Sequence, residues 1–223
     1  MSLLNLLFPR RCVSCGKIGR YFCSNCFKKI KYIDRSFCPV CRRYSFDGSV
    51  HAACLSPWSL NGLTVMAHYK GPVKQAIKMI KYRYVSHLAE ELSGLFLEKY
   101  PSFLNKLDIL VPVPLHHQRE KERGFNQSLI IARCLGKNLN ISVRDDLLKR
   151  KRHTRPQFGL KINDRKTNIR DAFRSYHSEV ISGKKIGLVD DVATTFSTLR
   201  ECAQELKKSG ARSVWAFVIA HGN

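Results

Sequence analysis

Pairs of cysteines separated by two residues fill the first quarter of the chain and constrain its fold more than any other feature. Seven of the nine cysteines lie between Cys12 and Cys54, in three Cys-x-x-Cys pairs and a final His51-x-x-Cys54 pair. This spacing places two thiols on one tight turn, where both can bind the same tetrahedral zinc ion. Because a short polar segment buries little apolar surface, metal binding would supply the free energy that folds it.

We therefore predict two structural zinc sites, one with four cysteine ligands and one with three cysteines and a histidine. Sequential and cross-braced grouping of the pairs would use the same residues, so the spacing leaves the grouping open. Closed sites of this kind leave no position for water, which argues against zinc catalysis. Cys134 and Cys202 lie outside the cluster at helical spacing and are predicted to pack in a core. The eight predicted ligands are Cys12, Cys15, Cys23, Cys26, Cys38, Cys41, His51 and Cys54.

The charge of the chain favours polyanionic partners. Its 39 Lys and Arg residues against 17 acidic residues give a formal net charge of +22, which suits nucleic acid or phosphate-rich substrates. Residues 1–60 stay basic even when seven thiolates and two zinc ions are included. The alternative for this module is a solvated surface over a small aromatic core. Its basic residues could follow a phosphate backbone while aromatic residues stack on bases: Arg10, Arg11, Arg20, Lys28, Lys29, Lys31, Arg42 and Arg43, with Tyr21, Phe22, Phe27 and Tyr32.

The sequence contains no apolar run long enough for a transmembrane helix. The short apolar patch at the start precedes the first basic residues, which is the reverse of the order in a signal peptide. We therefore predict no membrane span and a cytoplasmic location. In that reducing compartment, clustered cysteines favour metal binding over disulfides.

From residue 61 onward the pattern changes to alternating strands and amphipathic helices. This alternation predicts an α/β domain with a mainly parallel sheet and flanking helices, and it places the domain boundary between 1–60 and 61–223. The predicted strands are 63–69, 108–114, 186–191 and 213–220, and the predicted helices are 72–82, 86–100, 126–139 and 197–209.

The segment from Ile186 to Leu199 has the pattern of a site for a phosphorylated sugar. A buried parallel strand is predicted to end in Asp190 and Asp191, whose carboxylates could accept hydrogen bonds from vicinal sugar hydroxyls. A helix that begins near Ser197 would direct unpaired N–H groups and its positive dipole end at an anion. The alternative is a strand-to-helix turn without a ligand. The hydroxyl donors of the turn are Thr194, Thr195, Ser197 and Thr198.

Two further basic segments are candidates for anion binding. Arg119 and Arg123 follow the second predicted strand, and their guanidinium groups match phosphate oxygens in pairs. Residues 149–170 hold nine Lys and Arg residues and one acid, which suggests a mobile cover over the site. Within this cover, Gln157, Leu160 and residues 165–172 are predicted to begin and pack a short helix.

The whole chain resembles the ComF family of bacterial competence proteins. The resemblance rests on the cysteine pairs, on Val-Pro-Val-Pro-Leu at 111–115, on Arg-x-x-x-Arg-Gly-Phe-Asn-Gln at 119–127 and on Val-Asp-Asp-Val-Ala-Thr-Thr at 189–195. It implies a double zinc ribbon followed by a type I phosphoribosyltransferase domain. It also implies a role in handling single-stranded DNA during natural transformation, with competence proteins as candidate partners.

The resemblance assigns roles in binding phosphoribosyl pyrophosphate (PRPP). It implies that Asp190 and Asp191 hold the ribose and that the following turn holds the 5-phosphate, with Arg119 and Arg123 near the pyrophosphate. In a transferase, Mg²⁺ would bridge pyrophosphate and ribose oxygens, and one of the two acids would stabilise a developing positive charge. Phe196 stands where the family has glycine, and we expect its side chain to disfavour both a positive φ and close approach of the backbone to phosphate. The acceptor is undetermined, and the alternative is an inactive phosphoribosyltransferase domain in a protein that binds nucleic acid or scaffolds other proteins.

Overall fold

A parallel five-stranded sheet forms the centre of the larger domain in a computed structural model that describes residues 9–83, 85–99, 106–151 and 171–222. The strand order is β1-β7-β6-β2-β3, and a separate antiparallel pair consists of β4 and β5. The strands are β1 (Gly62–His68), β2 (Ile109–Pro112), β3 (Ser142–Val143), β4 (Leu148–Arg150), β5 (Phe173–Ser175), β6 (Lys185–Ala193) and β7 (Ser213–His221).

The helices are α1 (Ser24–Phe27), α2 (Gly71–Arg83), α3 (Ser86–Lys99), α4 (His117–Arg123), α5 (Gln127–Leu139), α6 (Ser178–Ile181) and α7 (Ser197–Lys208). The predicted mainly parallel sheet with flanking helices is thus confirmed, and the long predicted elements match those observed within two residues at either end. The sequence missed α1, α4, α6 and the short strands β3 to β5. The predicted cover over 152–170 and its short helix lie outside the described residues.

Alternating side chains of the central strands divide the interior into two cores. On β7, Val214, Ala216 and Val218 belong to one core, while Phe217 and Ile219 belong to the other. The first core is closed by α7 and the β4–β5 pair, and the second by α2, α3 and α5. Because helices cover both faces, β6 is buried along most of its length, as is typical of parallel strands.

The cysteine-rich segment pairs with the outer edge of β1. Backbone N–H groups of Ile33 and Leu63 donate to the carbonyls of Met66 and Gly48 at 3.0 and 2.9 Å. Gly48 has a φ of +84°, and a Cβ there would lie 2.1 Å from the Leu63 carbonyl oxygen, so glycine is required for this close approach. The pairing covers an edge strand that would otherwise expose unpaired backbone groups. The boundary at residue 60 stays a prediction.

The cysteine-rich segment has two halves, a first half that holds Cys12 to Cys26 and a second half that holds Cys38 to Cys54. The two halves pack into different cores. Phe22 and Ile30 of the first half are buried in the core beneath α2, α3 and α5. Cys38 and Val50 of the second half are buried in the core beneath α7, with Phe37 packed against it. Among the residues that the structure describes, no helix has the length and apolar character needed to cross a membrane.

Candidate functional site

The structure brings the eight predicted metal ligands together in two clusters, grouped in sequential order. Within each cluster the four candidate ligand atoms all lie within 4.8 Å of one another. The clusters are Cys12, Cys15, Cys23 and Cys26, and Cys38, Cys41, His51 and Cys54.

His51 is oriented as a metal ligand in the second cluster. Its Nε2 lies 2.8 Å from the carbonyl oxygen of Tyr44 and donates to it, which leaves Nδ1 directed at the thiols, 3.3 Å from the Sγ of Cys41. A histidine that binds zinc through one nitrogen and a carbonyl through the other has its ring orientation fixed by that outer contact. Hydrogen bonds from the Arg43 backbone, and then from its side chain, lower the pKa of Cys41 to about 6.

The thiols of the first cluster require a cation if all are to ionise. Burial raises the pKa of Cys12, but hydrogen bonds led by the backbone of Cys23 outweigh it and lower the value to about 6. Burial, followed by the neighbouring side chain of Cys15, raises the pKa of Cys26 to about 12. A zinc ion would offset this difference by binding all four sulfurs as thiolates, so the residues fit the metal.

The predicted sugar-phosphate residues lie where the chain connections diverge from the sheet. β2 leads through α5 to β3 on one side, whereas β6 leads through α7 to β7 on the other, and β2 and β6 are neighbours. In open α/β sheets, ligands bind outside the carboxyl ends of the strands at this switch point. Asp190 and Asp191 lie near the carboxyl end of β6, and the loop 194–196 leads from it into α7.

Both acids are buried and held by polar partners from α5. The Ser128 hydroxyl donates to Asp190 at 2.9 Å, and the Gln127 amide donates to Asp191 at 3.0 Å. Burial, reinforced by the charge of Asp191, raises the pKa of Asp190 to about 7. Asp190 therefore keeps its proton to a higher pH than an exposed aspartate does.

Lys81, near the end of α2, is a site residue that sequence analysis missed. Its Nζ lies 2.5 Å from Oδ2 of Asp191, which keeps that carboxylate paired with a cation. Burial opposes the charge of Lys81, but Asp191 outweighs it and raises the pKa of the ammonium group. One feature of the sequence indicates that Lys81 faces the interior. Lys81 follows Val73 and Ile77 at intervals of four residues, and both of these are buried on the same face of α2.

Three arginine side chains lie near the two acids and near one another. Arg123 in α4 donates to Gln127 and lies over the ring of Tyr82, with 5.7 Å between its Cζ and the ring centroid. Burial lowers the pKa of Arg123, with Arg119 acting in the same direction and Asp191 opposing them. Burial and then Arg119 also lower the pKa of Arg150 in β4. Sequence analysis singled out Arg119 and Arg123, and the fold adds Arg150 as a third cation.

Comparison with known proteins identifies the domain type of the first segment and the family of the whole chain. Residues 3–55 match the model of the double zinc ribbon domain. Competence protein F of Haemophilus influenzae is 30% identical to this chain, and the match covers 96% of this chain and 97% of that protein. This chain belongs to the ComF family.

Other ComF relatives carry related names. The DNA utilization protein YhgH of Escherichia coli K12 is 32% identical, with 88% of each chain covered. The competence protein ComFC of Bacillus subtilis is 30% identical over 88% of this chain and 82% of its own.

Similar solved structures include the glutamine PRPP amidotransferase of Bacillus subtilis, which is 17% identical with a TM-score of 0.38, and the match covers 91% of this chain and 33% of that one. A purine phosphoribosyltransferase of Pyrococcus horikoshii is 19% identical with a TM-score of 0.32, covering 68% of this chain and 82% of that one.

Phe196 does not prevent the loop of this ComF protein from adopting a positive φ. Its φ is +60° and it stands immediately before the first residue of α7, so the chain adopts here a conformation that a phenylalanine side chain disfavours. The ring is only 2% exposed and stacks on His221, with 4.9 Å between ring centroids. A left-handed residue costs about 1–2 kcal/mol, while burying a phenylalanine contributes about 1.5–3 kcal/mol. Burial therefore offsets the strain.

The hydroxyl residues of the loop lie where the sequence placed them. Thr195 and Ser197 are buried, and their oxygens are 2.7 Å apart. Thr194 and Thr198 flank this pair and are partly exposed. Phe196 contributes no side-chain hydrogen bond to the start of α7, so it does not cap the amide donors there.

Three of the four predicted stacking aromatics of the first sixty residues are less accessible than expected. Phe22 is buried, which excludes it as a platform for bases, and Tyr21 and Tyr32 are partly buried, whereas Phe27 is 39% exposed. In contrast, Tyr44 and Phe46 are 61% and 90% exposed and lie one and three residues after Arg43. Sequence analysis missed these two because they lie outside the aromatic run that it considered.

Proposed function

We propose that this ComF protein binds PRPP or a related 5-phosphorylated ribose in the crevice between β2 and β6. The observation that carries the proposal is the position of Asp190 and Asp191 beside the loop 194–196 and the start of α7, at the switch point of the sheet. Buried carboxylates suit ribose hydroxyls, and the start of a helix suits phosphate. Arg119, Arg123 and Arg150, which lie near one another and near the acids, suit a pyrophosphate group.

Each group in the crevice has a distinct part in this proposal. Asp190 and Asp191 would accept hydrogen bonds from the ribose, and Lys81 would move from Asp191 towards the ligand's phosphates. The 5-phosphate would contact Thr194, Thr195, Ser197, Thr198 and their amides. Arg119 and Arg123 would bind the pyrophosphate, with Mg²⁺ brought by PRPP neutralising part of its charge. Transfer to an acceptor would make either acid a stabiliser of positive charge at the ribose.

Calorimetry with Mg-PRPP tests the proposal. The wild-type chain should release or absorb heat on binding, and a concentration of 100 times Kd should stabilise it by about 2.7 kcal/mol. Asp191→Asn should lose most of this binding, whereas Asp145→Asn, which removes the same charge from an exposed position, should retain it. Absence of both heat and protection from unfolding in the wild type would reject the proposal.

We further propose that the same chain binds single-stranded nucleic acid through the second half of its zinc ribbon. The exposed rings of Tyr44 and Phe46 beside Arg42 and Arg43 support this function. Aromatic rings stack on bases without regard to sequence, and neighbouring cations attract the phosphate backbone. The eight zinc ligands would hold this surface rigid through two structural Zn²⁺ ions.

Fluorescence anisotropy with a labelled oligothymidine tests this second function. Affinity should fall steeply as salt rises, because phosphate contacts release counterions. Tyr44→Ala combined with Phe46→Ala should weaken binding by about 2–6 kcal/mol at low salt. Phe27→Ala, which removes a partly exposed ring from the first half of the ribbon, should have little effect. Absence of binding at low ionic strength, alongside successful capture of a competence protein, would instead favour a scaffold.

A further inference from the structure

The second zinc cluster lies against the loop that is proposed to hold phosphate. Phe37 directly precedes the ligand Cys38, and its ring centroid lies 5.8 Å from that of Phe196. Arg42 directly follows the ligand Cys41, and its Cζ lies 5.9 Å from the centroid of the same ring. The residues on either side of the cysteine turn 38–41 therefore both contact Phe196, the residue of the loop that has the left-handed conformation.

The same turn also contacts the first turn of α7. The guanidinium of Arg200 donates to the carbonyl of Pro39 at 2.5 Å, and Pro39 lies between the ligands Cys38 and Cys41. The backbone N–H of Arg200 donates to the carbonyl of Phe196 at 2.9 Å. The cysteine turn thus contacts both sides of the helix start, through Phe196 and through Arg200.

The loop side of this contact has its own support. His221, at the end of β7, stacks on Phe196 and donates from Nδ1 to the carbonyl of Ala193 at 2.9 Å. Phe37 also lies 6.0 Å from His221, measured between ring centroids. Phe37, Phe196 and His221 therefore form a cluster of three rings, in which one residue of the ribbon and one residue of the sheet both contact Phe196.

The cysteine turn 38–41 is closed by backbone hydrogen bonds, and its two thiols belong to the second metal cluster. The backbone N–H of Cys38 donates to the carbonyl of Arg43, and the backbone N–H of Arg42 donates to the carbonyl of Cys38. These two hydrogen bonds close the turn that carries the thiols of Cys38 and Cys41. Arg42 itself has a φ of +61°, which an arginine rarely adopts without external support. Without zinc, the ligand side chains would have no common partner, and the turn would lose a constraint that helps to position Phe37 and Arg42.

We propose that the second zinc site is a working part of the sugar-phosphate site, with Phe37 and Arg42 acting as positioning residues for the loop 194–196. This inference rests on the proposed binding of a 5-phosphorylated ribose. Zinc in the second cluster holds Phe196 in its left-handed conformation, and Arg42 adds a positive charge beside the phosphate. The first zinc cluster has no such role, because its ribbon packs into the opposite core.

Calorimetry with ribose 5-phosphate, which lacks the pyrophosphate, tests the inference on this half of the site. Arg42→Ala should weaken binding roughly five- to tenfold, at the lower end of couplings between sites. Arg42→Lys should recover part of the loss, because it retains a charge that can lie over the ring. Arg35→Ala removes an exposed charge from the same ribbon and should leave binding unchanged.

Removal of one ligand from each zinc cluster compares the two sites directly. His51→Ala in the second cluster should weaken ribose 5-phosphate binding at least as much as Arg42→Ala and should speed hydrogen exchange of the amides from 194 to 200. Cys15→Ala in the first cluster should do neither. Equal effects of the two variants on both measurements, or no effect of His51→Ala on either, would overturn the inference.

Hydrogen exchange separates this inference from the proposed function. If the wild type does not bind ribose 5-phosphate or Mg-PRPP, the proposed function fails, and the exchange of the ligand-free loop alone decides the inference. Faster exchange at 194–200 in His51→Ala would then support coupling between the zinc site and the loop. Unchanged exchange would contradict it, even if the sugar-phosphate site binds normally.

Discussion

The two halves of the zinc ribbon share one sequence motif but have different neighbours. The first half buries Phe22 and Ile30 in the core beneath α2, α3 and α5, away from the loop before α7. The second half places Phe37 against Phe196 and the carbonyl of Pro39 against Arg200. A repeated motif therefore does not imply a repeated role. The first half is expected to stabilise the domain, and the second to shape its ligand site.

Loss of a buried zinc ligand from either half should give the largest effects on stability. Cys26→Ala and Cys38→Ala should each reduce the zinc content from two ions to one and destabilise the chain by several kcal/mol, because metal binding supplies folding free energy. Elemental analysis and thermal unfolding measure these effects. Only Cys38→Ala should also weaken ribose 5-phosphate binding at a temperature where both variants are folded. Equal binding by the two variants would break the distinction between the halves.

Substitution of one phenylalanine in each half compares the two halves without changing a metal ligand. Phe22→Ala should destabilise the chain by about 3 kcal/mol, at the low end for a buried phenylalanine, and leave ligand affinity unchanged. Phe37→Ala should destabilise it less, because this side chain is only partly buried, but should weaken ribose 5-phosphate binding several-fold. Chemical denaturation and calorimetry on the same samples give both quantities. A change in affinity that simply follows the loss of stability would contradict the prediction.

The sequence predicted the main elements because their patterns are local. The apolar run before Asp190, the hydroxyl residues after it and the helix from Ser197 are adjacent in the chain, and their bounds were predicted within two residues. The eight ligands were also evident, but their grouping was not, since spacing permits more than one arrangement. The short strands β3 to β5 contain two or three residues each, too few for a clear period.

Long-range contacts explain what the sequence did not predict. Lys81 looked like part of a helix, and only the fold brings its ammonium group to Asp191. Phe196 looked incompatible with a left-handed loop because its compensating partners, Phe37 and His221, lie in distant parts of the chain. A strained residue can be recognised from local sequence, whereas the contacts that support it cannot.

Phe196→Gly tests whether the aromatic contact transmits the effect of the second half. Glycine would relieve strain of about 1–2 kcal/mol but lose ring burial and contacts worth about 3–5 kcal/mol, so a net destabilisation of about 1–4 kcal/mol is expected. In the glycine background, Phe37→Ala should no longer affect ribose 5-phosphate affinity. A double-mutant cycle measures this coupling. Additive effects of the two changes on affinity would show that Phe37 acts through another route.

The acids of the site should be independent of both ribbon halves, because their partners Ser128, Gln127 and Lys81 belong to the larger domain. Burial and Asp191 raise the pKa of Asp190 from 3.8 to about 7, so between these pH values the folded chain binds this proton more tightly than the unfolded chain. The contribution of Asp190 to stability should therefore fall as pH rises through this window.

Asp190→Asn isolates this smallest effect, because the amide resembles the protonated acid and can still accept the hydrogen bond from Ser128. The free energy of unfolding, measured by denaturation from pH 5 to 8, should fall with pH more steeply in the wild type than in the variant. Arg42→Ala should retain the wild-type difference, since Arg42 contacts the phosphate loop and not the acids. If Arg42→Ala removed it, the two halves of the sugar-phosphate site would be linked electrostatically, and the influence of the second ribbon half would extend beyond the loop.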